Sequence, residues 1–443
     1  MDDPLSGSTC VVHVPGSEGY ARTTGLWNGA IERQPALVVA CFTPRDVRAA
    51  LLAARAAGLP VSVRNGGRDW VGRSLRDGGL VLDLTPMREC TVNAEALEVT
   101  LAAGVTGADL NAAVGRHGLI AMIGNEGTIS MTGLLSGGGY GPLTTRFGLA
   151  LDSLLAAEVV LADGRIASCD ATHNRDLFWA IRGGGGNFGV ITSMRLRLHK
   201  VGRVLSGIIV FPWAEASAVL ARFSSMMQAA PDELAGATIL SLGPSGDPVV
   251  MISPTWSGEL ERGRQIVREM ESFGTPMVSK VEPMAASDLL SITNGKLVSG
   301  RGYSLATRWL ADLSPDVVSA LVSAYDDRTS PVSSIILHHF HGAGTRVPPE
   351  DTAFGMRRPH FSALIYGVWE PAHLDGTKHR RWAHDLSLKL SNWALPGGYA
   401  NLLHHDAREQ VASAFGPNGR RLLELKARFD PDDVFSAIPL PGR

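Results

Sequence analysis

The chain has 443 residues, too many for one ordinary hydrophobic core, so we expect two or three packed units. Its 41 basic and 43 acidic residues leave a formal net charge of −2, which argues against a nucleic-acid-binding surface. The four cysteines contain no CxxC pair, so neither a disulfide framework nor a zinc site is indicated. We therefore expect the partner to be a small molecule.

The sequence also lacks signals for export or membrane insertion. It begins without a basic region followed by an apolar run, and no stretch has the length of a membrane span. No Asn-x-Ser/Thr sequon occurs. These features predict a cytoplasmic protein that does not bind a membrane.

Strand and helix signals alternate over residues 36–84. Residues 36–40 predict a strand, and Thr43 followed by Asp46 predicts a capped helix behind it. Residues 61–63 and 80–84 predict two further strands, with a glycine-containing loop between them. This order indicates one unit of mixed helix and strand.

A second such unit follows, and then the pattern changes. Thr106 and Asp109 predict another capped helix, and Asp163-Gly164 predicts a hairpin turn. From about residue 206, short strands such as residues 335–337 and 361–368 alternate with helical stretches such as residues 316–325. The sequence therefore predicts an α+β fold whose later part is an antiparallel sheet covered by helices.

Three clusters of glycine need an explanation, at residues 66–67, 137–139 and 183–186. Glycine allows positive φ and close approach of a ligand, and consecutive N–H groups in such loops bind anions. The first two clusters lie in long loops that follow strands, which favours a pyrophosphate site over purely structural turns. No P-loop string occurs, which excludes that class of NTPase.

Gly184-x-Gly186-x-x-Gly189 matches the dinucleotide fingerprint of the Rossmann fold. This match follows a predicted helix and precedes a predicted strand, whereas the fingerprint requires the reverse order. We therefore reject a Rossmann NAD site. A nicotinamide-dependent dehydrogenase would depend on this misplaced match alone.

Five segments together resemble a known family, the vanillyl-alcohol oxidase/p-cresol methylhydroxylase-type FAD-linked oxidoreductases. The resemblance is to the berberine-bridge-enzyme-like branch, which includes 6-hydroxynicotine oxidase. It covers roughly residues 20–200 and 399–435. The segments are VRNGGRDWVG at residues 63–72, GLLSGGGYG at 133–141, RFGLxxD at 146–152, LFWAxRGGGGNFGVIT at 177–192, and YxN at 399–401 with KxxFDPxxVF at 426–435.

The resemblance implies bound FAD and a division into three parts. Residues 1–203 would form an FAD-binding domain of two subdomains, residues 204–396 a substrate-binding domain, and residues 397–443 a segment that returns to the FAD domain. It also implies a set of cofactor-binding residues: Arg64, Asn65, Gly66, Gly67, Arg68, Asp69, Gly124, Gly127, Thr128, Gly133, Ser136, Gly138, Gly139, Gly141, Val190 and Asn401.

Two positions depart from the family pattern. Members of the family usually carry a histidine where Arg68 stands, and many carry a cysteine where Glu126 stands; both residue types bond covalently to the flavin. Arginine is not a nucleophile, and no cysteine lies between Cys90 and Cys169. We therefore expect the FAD to be held without a covalent bond.

Oxidation of an alcohol or amine requires a group that takes up the proton. Tyr399 is the first candidate because it belongs to the tail motif, although it is equally compatible with simple packing against the ring. Tyr140 follows the second loop and would shape the pocket. His339 and His341 share one face of a predicted strand and would line the roof of the site.

His338, His404 and His405 show no ligand spacing with a carboxylate, so we predict no metal. The basic run at residues 378–381 is typical of a solvated helix face and lacks the aromatic residues of a nucleic-acid-binding surface.

These observations predict an FAD-dependent oxidoreductase. We expect an oxidase that uses molecular oxygen and oxidises a small alcohol, amine or intermediate of secondary metabolism by hydride transfer to FAD. The alternative is a flavin-binding protein of the same fold whose FAD is structural, and which catalyses a non-redox cyclisation or isomerisation. Arg68 keeps this alternative open, because the covalent link of the family helps to set a high flavin potential.

Overall fold

The computed structural model describes residues 7–293, 297–370 and 375–442. Strands up to residue 200 form three small sheets, and strands from residue 203 to residue 395 form one sheet of eight strands. The α+β class predicted from the sequence is confirmed. In the described residues, no helix is both long and apolar enough to cross a bilayer.

The first sheet has the strand order β1-β2-β4-β3, with β2, β4 and β3 parallel and β1 antiparallel at the edge. Its helix begins where the sequence predicts, because Thr43 and Asp46 cap each other reciprocally. The first glycine loop connects β3 to β4. The elements are β1 (Val11–His13), α1 (Glu18–Thr24), β2 (Leu37–Ala40), α2 (Pro44–Ala56), β3 (Val61–Arg64) and β4 (Leu80–Asp83).

The second sheet is antiparallel, with the order β5-β6-β10-β8-β9, and β11 pairs with β7 beside it. The predicted hairpin is confirmed, since β8 turns into β9 around Gly164, whose φ is +82°. The elements are β5 (Cys90–Asn93), β6 (Glu98–Ala102), α3 (Gly107–Gly115), β7 (Leu119–Ile120), α4 (Met131–Gly137), α5 (Thr144–Phe147), β8 (Leu154–Val160), β9 (Ile166–Asp170), α6 (Arg175–Ala180), β10 (Val190–Arg197) and β11 (His199–Lys200).

The eight-stranded sheet is antiparallel, with the order β15-β12-β14-β13-β17-β18-β16-β19. The elements are β12 (Arg203–Pro212), α7 (Ala216–Gln228), β13 (Leu234–Leu242), β14 (Pro248–Trp256), α8 (Leu260–Glu271), β15 (Val278–Ala285), α9 (Leu290–Thr293), β16 (Gly302–Leu310), α10 (Pro315–Asp326), β17 (Ser334–Phe340), α11 (Ala343–Arg346), β18 (His360–Trp369), α12 (Thr377–Leu390) and β19 (Ala394–Leu395).

The two faces of this sheet have different neighbours. Helices α7, α8, α10 and α12 cover one face through a core that includes Phe223, Leu321, Ile335 and Phe361. The other face, which we call the roof face, packs toward the glycine loops. Because strand side chains alternate, its members on the central strands are Ala237 and Ile239 of β13, Ser334, Ile336, His338 and Phe340 of β17, His360, Ser362, Leu364, Tyr366 and Val368 of β18, and Tyr303, Leu305, Thr307 and Trp309 of β16.

The second glycine segment, residues 124–141, contains a helix that the sequence pattern does not predict. Helix α4 occupies residues 131–137, and the Ser130 side chain accepts a hydrogen bond from the Gly133 N–H at its first turn. The segment therefore consists of a loop, a short helix and a second loop. The N-cap and the packing of the helix in the core together offset the low helix propensity of the glycines.

The third glycine cluster holds the C-terminal chain. The Asn187 amide donates to the carbonyls of Gly184 and Ile438, and its oxygen accepts the N–H of Ala437. A Cβ on Gly185 would lie 2.7 Å from Ile438. The cluster is therefore occupied by protein, in agreement with the rejection of a Rossmann site.

A buried ion pair completes this junction. Helices α13 (Arg408–Ser413) and α14 (Gly419–Phe429) carry the chain back across the molecule. Lys426 and Asp430 pair with side chains that are 1% and 0% exposed, and the Lys426 ammonium also donates to the carbonyls of Asn187 and Phe435. The KxxFD part of the tail motif thus anchors the C-terminal segment.

A second buried ion pair joins the first part of the chain to the loop before β18. The Arg357 guanidinium donates to both carboxylate oxygens of Asp152, at 2.8 Å each, and also to Thr352. This bidentate geometry fixes the planes of both groups. Through this ion pair, the aspartate of the RFGLxxD motif holds the eight-stranded sheet against the glycine loops.

Candidate active site

The first glycine loop has the geometry of an anion-binding nest. Gly66 and Gly67 adopt φ values of +79° and +65°, which favour glycine. Within the part of the chain that the structure describes, the N–H groups of Gly66, Gly67 and Arg68 meet no protein acceptor. The buried Oδ1 of Asn65 is also without a partner there. The three N–H groups are donors that fit the pyrophosphate of a dinucleotide, whereas the Asn65 Oδ1 is an acceptor.

The second loop and the C-terminal segment are built against each other. A Cβ on Gly137 would lie 2.1 Å from Asn401 Oδ1, and one on Gly138 would lie 3.0 Å from the Tyr399 ring. The Tyr399 hydroxyl oxygen accepts hydrogen bonds from the Gly139 N–H at 3.0 Å and from Asn401 Nδ2 at 3.3 Å. Glycine is required here because the tail residues occupy the space that side chains would fill.

An ion pair bridges the two loops. Arg68 Nη2 lies 3.6 Å from Glu126 Oε2, and the two side chains are 14% and 9% exposed. The Arg68 guanidinium also lies over the Trp27 ring, 4.6 Å from its centroid. Burial lowers the pKa of Arg68, and the Glu126 carboxylate opposes that shift. Each charge therefore compensates the other in a poorly hydrated place.

Aromatic side chains of the roof face cover this end of the site. Trp27 stacks on Tyr303 with ring centroids 3.9 Å apart, and Tyr366 packs in the same cluster. Burial raises the pKa of Tyr303 and of Tyr366 to about 12. The sequence did not single out these three residues, because they come from distant segments that carry no motif.

A second aromatic cluster closes the other end. Tyr140 lies 5.1 Å from Tyr399 and 5.2 Å from Phe340 between ring centroids, and its hydroxyl is 3.2 Å from His360 Nε2. His360 Nδ1 is 2.8 Å from the Arg358 carbonyl, which can only accept, so Nε2 is the acceptor for the Tyr140 proton. Tyr140 is thus engaged within the protein.

Comparison with known proteins agrees with this geometry. Residues 35–170 match the model of an FAD binding domain, and residues 398–438 match the model described as berberine and berberine like. A Dictyostelium discoideum FAD-linked oxidoreductase is 29% identical over 432 residues, which cover 96% of this chain and 93% of that protein. The chain is an FAD-dependent oxidoreductase. The family resemblance inferred from the sequence motifs is confirmed.

Solved structures of this berberine-bridge-like fold superpose along the whole chain. A 6-hydroxy-D-nicotine oxidase from Arthrobacter nicotinovorans gives a TM-score of 0.90 at 24% identity, over 99% of this chain and 98% of that one. A glucooligosaccharide oxidase from Acremonium strictum, which carries 6-S-cysteinyl, 8α-N1-histidyl FAD, gives 0.86 at 22% identity over 98% of each chain. The fold therefore accommodates FAD attached through both residue types.

The structure gives some of the expected cofactor residues internal partners. Arg64 Nη1 contacts Asp83 at 3.2 Å and Thr85 at 2.9 Å, and Asp69 accepts the N–H groups of Val71 and Arg73. The Val190 side chain packs in a hydrophobic core. At these three positions the side chains are engaged within the protein, which leaves mainly the backbone available to a ligand.

Several expected cofactor residues line the space between the two loops of this flavoenzyme. A Cβ on Gly66 would lie 3.7 Å from the Thr128 carbonyl, so the loops face each other there. The Thr128 hydroxyl is 3.3 Å from Glu126 Oε1, and the Gly133 carbonyl accepts from Asn401 Nδ2. The backbone is closely packed at the remaining positions of the set, which are Gly124, Gly127, Ser136 and Gly141.

His339 and His341 do not line the roof of the active site, contrary to the prediction from the sequence. Their side chains lie on the helix-covered face, where His339 packs on Phe361 at 4.5 Å and its Nδ1 lies 2.9 Å from His341 Nδ1. The strand alternation was read correctly, but the helices cover the odd-numbered face of β17. The roof face of the enzyme therefore receives His338 instead.

A carboxylate does lie beside two of the histidines that were predicted to have none. His404, His405 and Asp406 bring their ligand atoms within 4.8 Å of one another. Asp406 pairs with His404 at 3.1 Å and with His405 at 3.0 Å, and both His405 and Asp406 are exposed. These contacts describe a solvated surface cluster of the flavoenzyme, outside the space between the loops.

The buried histidines predict a loss of stability in acid. Burial lowers the pKa of His338 and His360 to about 4 and that of His339 to about 3, against 6.5 for an ordinary histidine. The unfolded chain therefore takes up protons first as the pH falls below about 6.5, and stability is lost between about pH 6.5 and 4.

We expect the free energy of unfolding to fall by roughly 1 kcal/mol per histidine between about pH 7.5 and 5.5. Urea unfolding at the two pH values measures this difference. The His339→Gln variant should show a smaller fall than the wild-type enzyme. An equal fall in both proteins would assign the acid sensitivity to other groups.

Proposed function

We propose that this protein is an oxidase that removes a hydride from a small alcohol, amine or biosynthetic intermediate and holds its FAD without a covalent bond. We further propose that residues 1–203 and 397–443 bind the FAD and that residues 204–396 provide the substrate side. When bound, FAD accepts the hydride, and molecular oxygen takes up the electrons afterwards. Support for the arrangement comes from the two loops and the roof face, which enclose one space.

The Arg68–Glu126 ion pair carries the proposal of non-covalent binding. Arginine and glutamate stand where the family carries its two attachment residues, and here they contact each other at 3.6 Å. Neither side chain supplies a thiolate or a neutral imidazole, so no bond to the flavin can form through them. Arg68 offers a permanent positive charge and several donors in place of that bond.

The chain's own groups would then position charge and protons. Burial raises the pKa of Tyr399 to about 12, so the phenol keeps its proton near neutral pH. Its oxygen already accepts from the Gly139 N–H and Asn401, so the hydroxyl hydrogen is the group left to donate. We therefore propose Tyr399 as a hydrogen-bond donor to the negative charge that develops in the site, rather than as the proton acceptor that the sequence suggested.

The experiment is to precipitate the purified protein with acid and to follow the yellow colour. We expect the native protein to show a flavin spectrum and the colour to pass into the supernatant, because nothing but contacts retains FAD. Mass action should also raise the Tm as free FAD is added. The Arg68→His/Glu126→Cys double variant is the matched control, in which the family's attachment residues are restored.

Three outcomes would contradict the proposal. Yellow colour that stays with the washed wild-type precipitate would mean that another residue is bonded to the flavin. A colourless protein that takes up no FAD would overturn the oxidase assignment itself. Bound FAD that no alcohol or amine reduces would favour the non-redox alternative.

A further inference from the structure

His338 occupies a distinctive place on the roof face. Strand pairing puts it directly beside Ser362 of β18 on one side and Ala237 of β13 on the other. Its neighbours along β17 on the same face are Ile336 and Phe340. His338 is therefore the basic side chain in the middle of this surface.

The position of His338 along the site follows from strand β18. At one end of β18, Tyr366 lies near Arg68, whose charge acts on its hydroxyl. At the other end, His360 contacts Tyr140 beside Tyr399. Ser362 and Leu364 lie between these ends on the same face. Since His338 pairs with Ser362, it faces the space between the ion pair and the tyrosines.

The imidazole of His338 is free to bind a ligand. Within the described residues it has no hydrogen-bond partner in the protein, whereas His339 pairs with His341 and His360 is held at both ring nitrogens. The groups with charge or titrating protons that surround the space are Arg68, Glu126, Tyr303 and Tyr366 at one end and Tyr140, Tyr399 and His360 at the other. A neutral imidazole offers one donor and one acceptor nitrogen.

The rest of the roof face restricts what the imidazole can meet. The central strands β13, β17, β18 and β16 place no Asp, Glu, Lys or Arg on this face. A carboxylate or ammonium group bound there would lose its hydration without gaining a counter-charge from these strands, since Arg68 and Glu126, at one end of the space, neutralise each other. Most of the face is aliphatic or aromatic, which suits a ring or a chain better than a molecule with many hydroxyl groups.

A cavity lies at the edge of β16, beside the roof face. Its volume is about 1090 Å³, and it opens along the free edge of β16, where Leu305 and Thr307 line it together with Trp70 and Leu402. Thr307 pairs with Leu364, which lies two residues along β18 from Ser362, the partner of His338. Charged side chains, among them Arg73, Arg380 and Asp406, also line this cavity. A small molecule that enters it meets the roof face at Leu305 and Thr307.

We propose that the substrate is an uncharged, largely apolar alcohol whose hydroxyl group hydrogen-bonds to His338. This inference rests on the proposed function. The carbon that bears the hydroxyl loses its hydrogen as a hydride, so both electrons go to FAD, and the hydroxyl proton goes to the free nitrogen of His338 as the C=O bond forms. Oxygen then receives the two electrons and two protons, so alcohol and O₂ give a carbonyl compound and hydrogen peroxide.

The test uses neighbouring histidines on opposite faces of β17. The probes are benzyl alcohol and cinnamyl alcohol, with 4-(hydroxymethyl)benzoate and cellobiose as the charged and the polyhydroxylated comparison. We expect the neutral alcohols to perturb the visible spectrum of the FAD-bound wild type and to bleach it without oxygen. Their Kd should be at least about tenfold lower than that of the carboxylate, because its charge finds no partner.

His338→Gln should slow bleaching by benzyl alcohol by about 100-fold or more and raise its Kd by less than about tenfold. The acid limb of the bleaching rate should disappear in this variant, which a merely structural residue would not cause. His339→Gln should stay within about threefold of wild type in both quantities.

Several outcomes would overturn this inference. The first is an equal bleaching rate and Kd in the His338→Gln and His339→Gln variants. The second is tighter binding of the carboxylate or of cellobiose than of the neutral alcohols. The third is a wild-type flavin spectrum that responds to neither neutral alcohol. Failure of the proposed function looks different, since it would appear as absent FAD or as bound FAD that no alcohol, amine or sugar of any charge reduces. A flavin that is bound and is reduced only by charged or sugar substrates would leave the oxidase proposal standing.

Discussion

The Tyr399→Phe variant is expected to reduce its flavin about two to three orders of magnitude more slowly than wild type while keeping its FAD. The Tyr399 hydroxyl oxygen accepts from the Gly139 N–H and from Asn401, so its proton points away from these partners. Removal of one preorganised donor from a developing charge costs rates of this size. Anaerobic bleaching of the visible flavin spectrum by the alcohol that reduces the wild type gives the rate.

Tyr140→Phe is the matched control, because its ring lies only 5.1 Å from that of Tyr399. Its hydroxyl proton is already committed to His360, so we expect less than a tenfold effect on bleaching. The FAD content of both variants is measured from the ratio of visible to protein absorbance. If Tyr399→Phe bleaches within a few-fold of wild type, the tyrosine only packs the second loop.

Lys426→Met should destabilise the enzyme by about 3–5 kcal/mol. Lys426 is 1% exposed, and its removal would leave the Asp430 carboxylate buried without a cation. Asn187 and Phe435 would also lose the donor to their carbonyls. The measurement is urea unfolding of the FAD-bound protein, with FAD release followed in the same titration.

The control is Lys389→Met, an exposed lysine in α12, which should change the free energy of unfolding by less than about 0.5 kcal/mol. The Lys426→Met/Asp430→Asn double variant should recover part of the loss, because the buried charge is removed together with its partner. A Lys426→Met protein as stable as wild type would show that the tail is anchored by its apolar contacts alone.

Local signals predicted much of the fold. The helix that begins behind Thr43 and the hairpin at Gly164 depend on residues within a few positions of each other, so their chemistry is visible in the sequence. Helix α4 was missed because its glycines disfavour a helix in isolation, whereas packing in the core stabilises it.

The substrate side was harder to predict, for a reason that β17 illustrates. Alternation shows that His338 and His339 point to opposite faces, but it does not show which face the helices cover. That depends on how α7, α10 and α12 pack against the sheet, which the alternation along β17 does not encode. The contact between Trp27 and Tyr303 is likewise set by tertiary packing, so no local pattern indicates it.

The docking of the tail also sets an order of events during biosynthesis. Asn401 and Tyr399 fill the space over Gly137 and Gly138, and the Lys426 junction holds them there. A ribosome that has made the two glycine loops still has about 260 residues to add before it reaches Tyr399, which takes on the order of 10 to 50 s at ordinary elongation rates. A nascent chain in this interval presents an incomplete binding surface, so stable capture of the vitamin-derived cofactor belongs to the period after synthesis rather than during it.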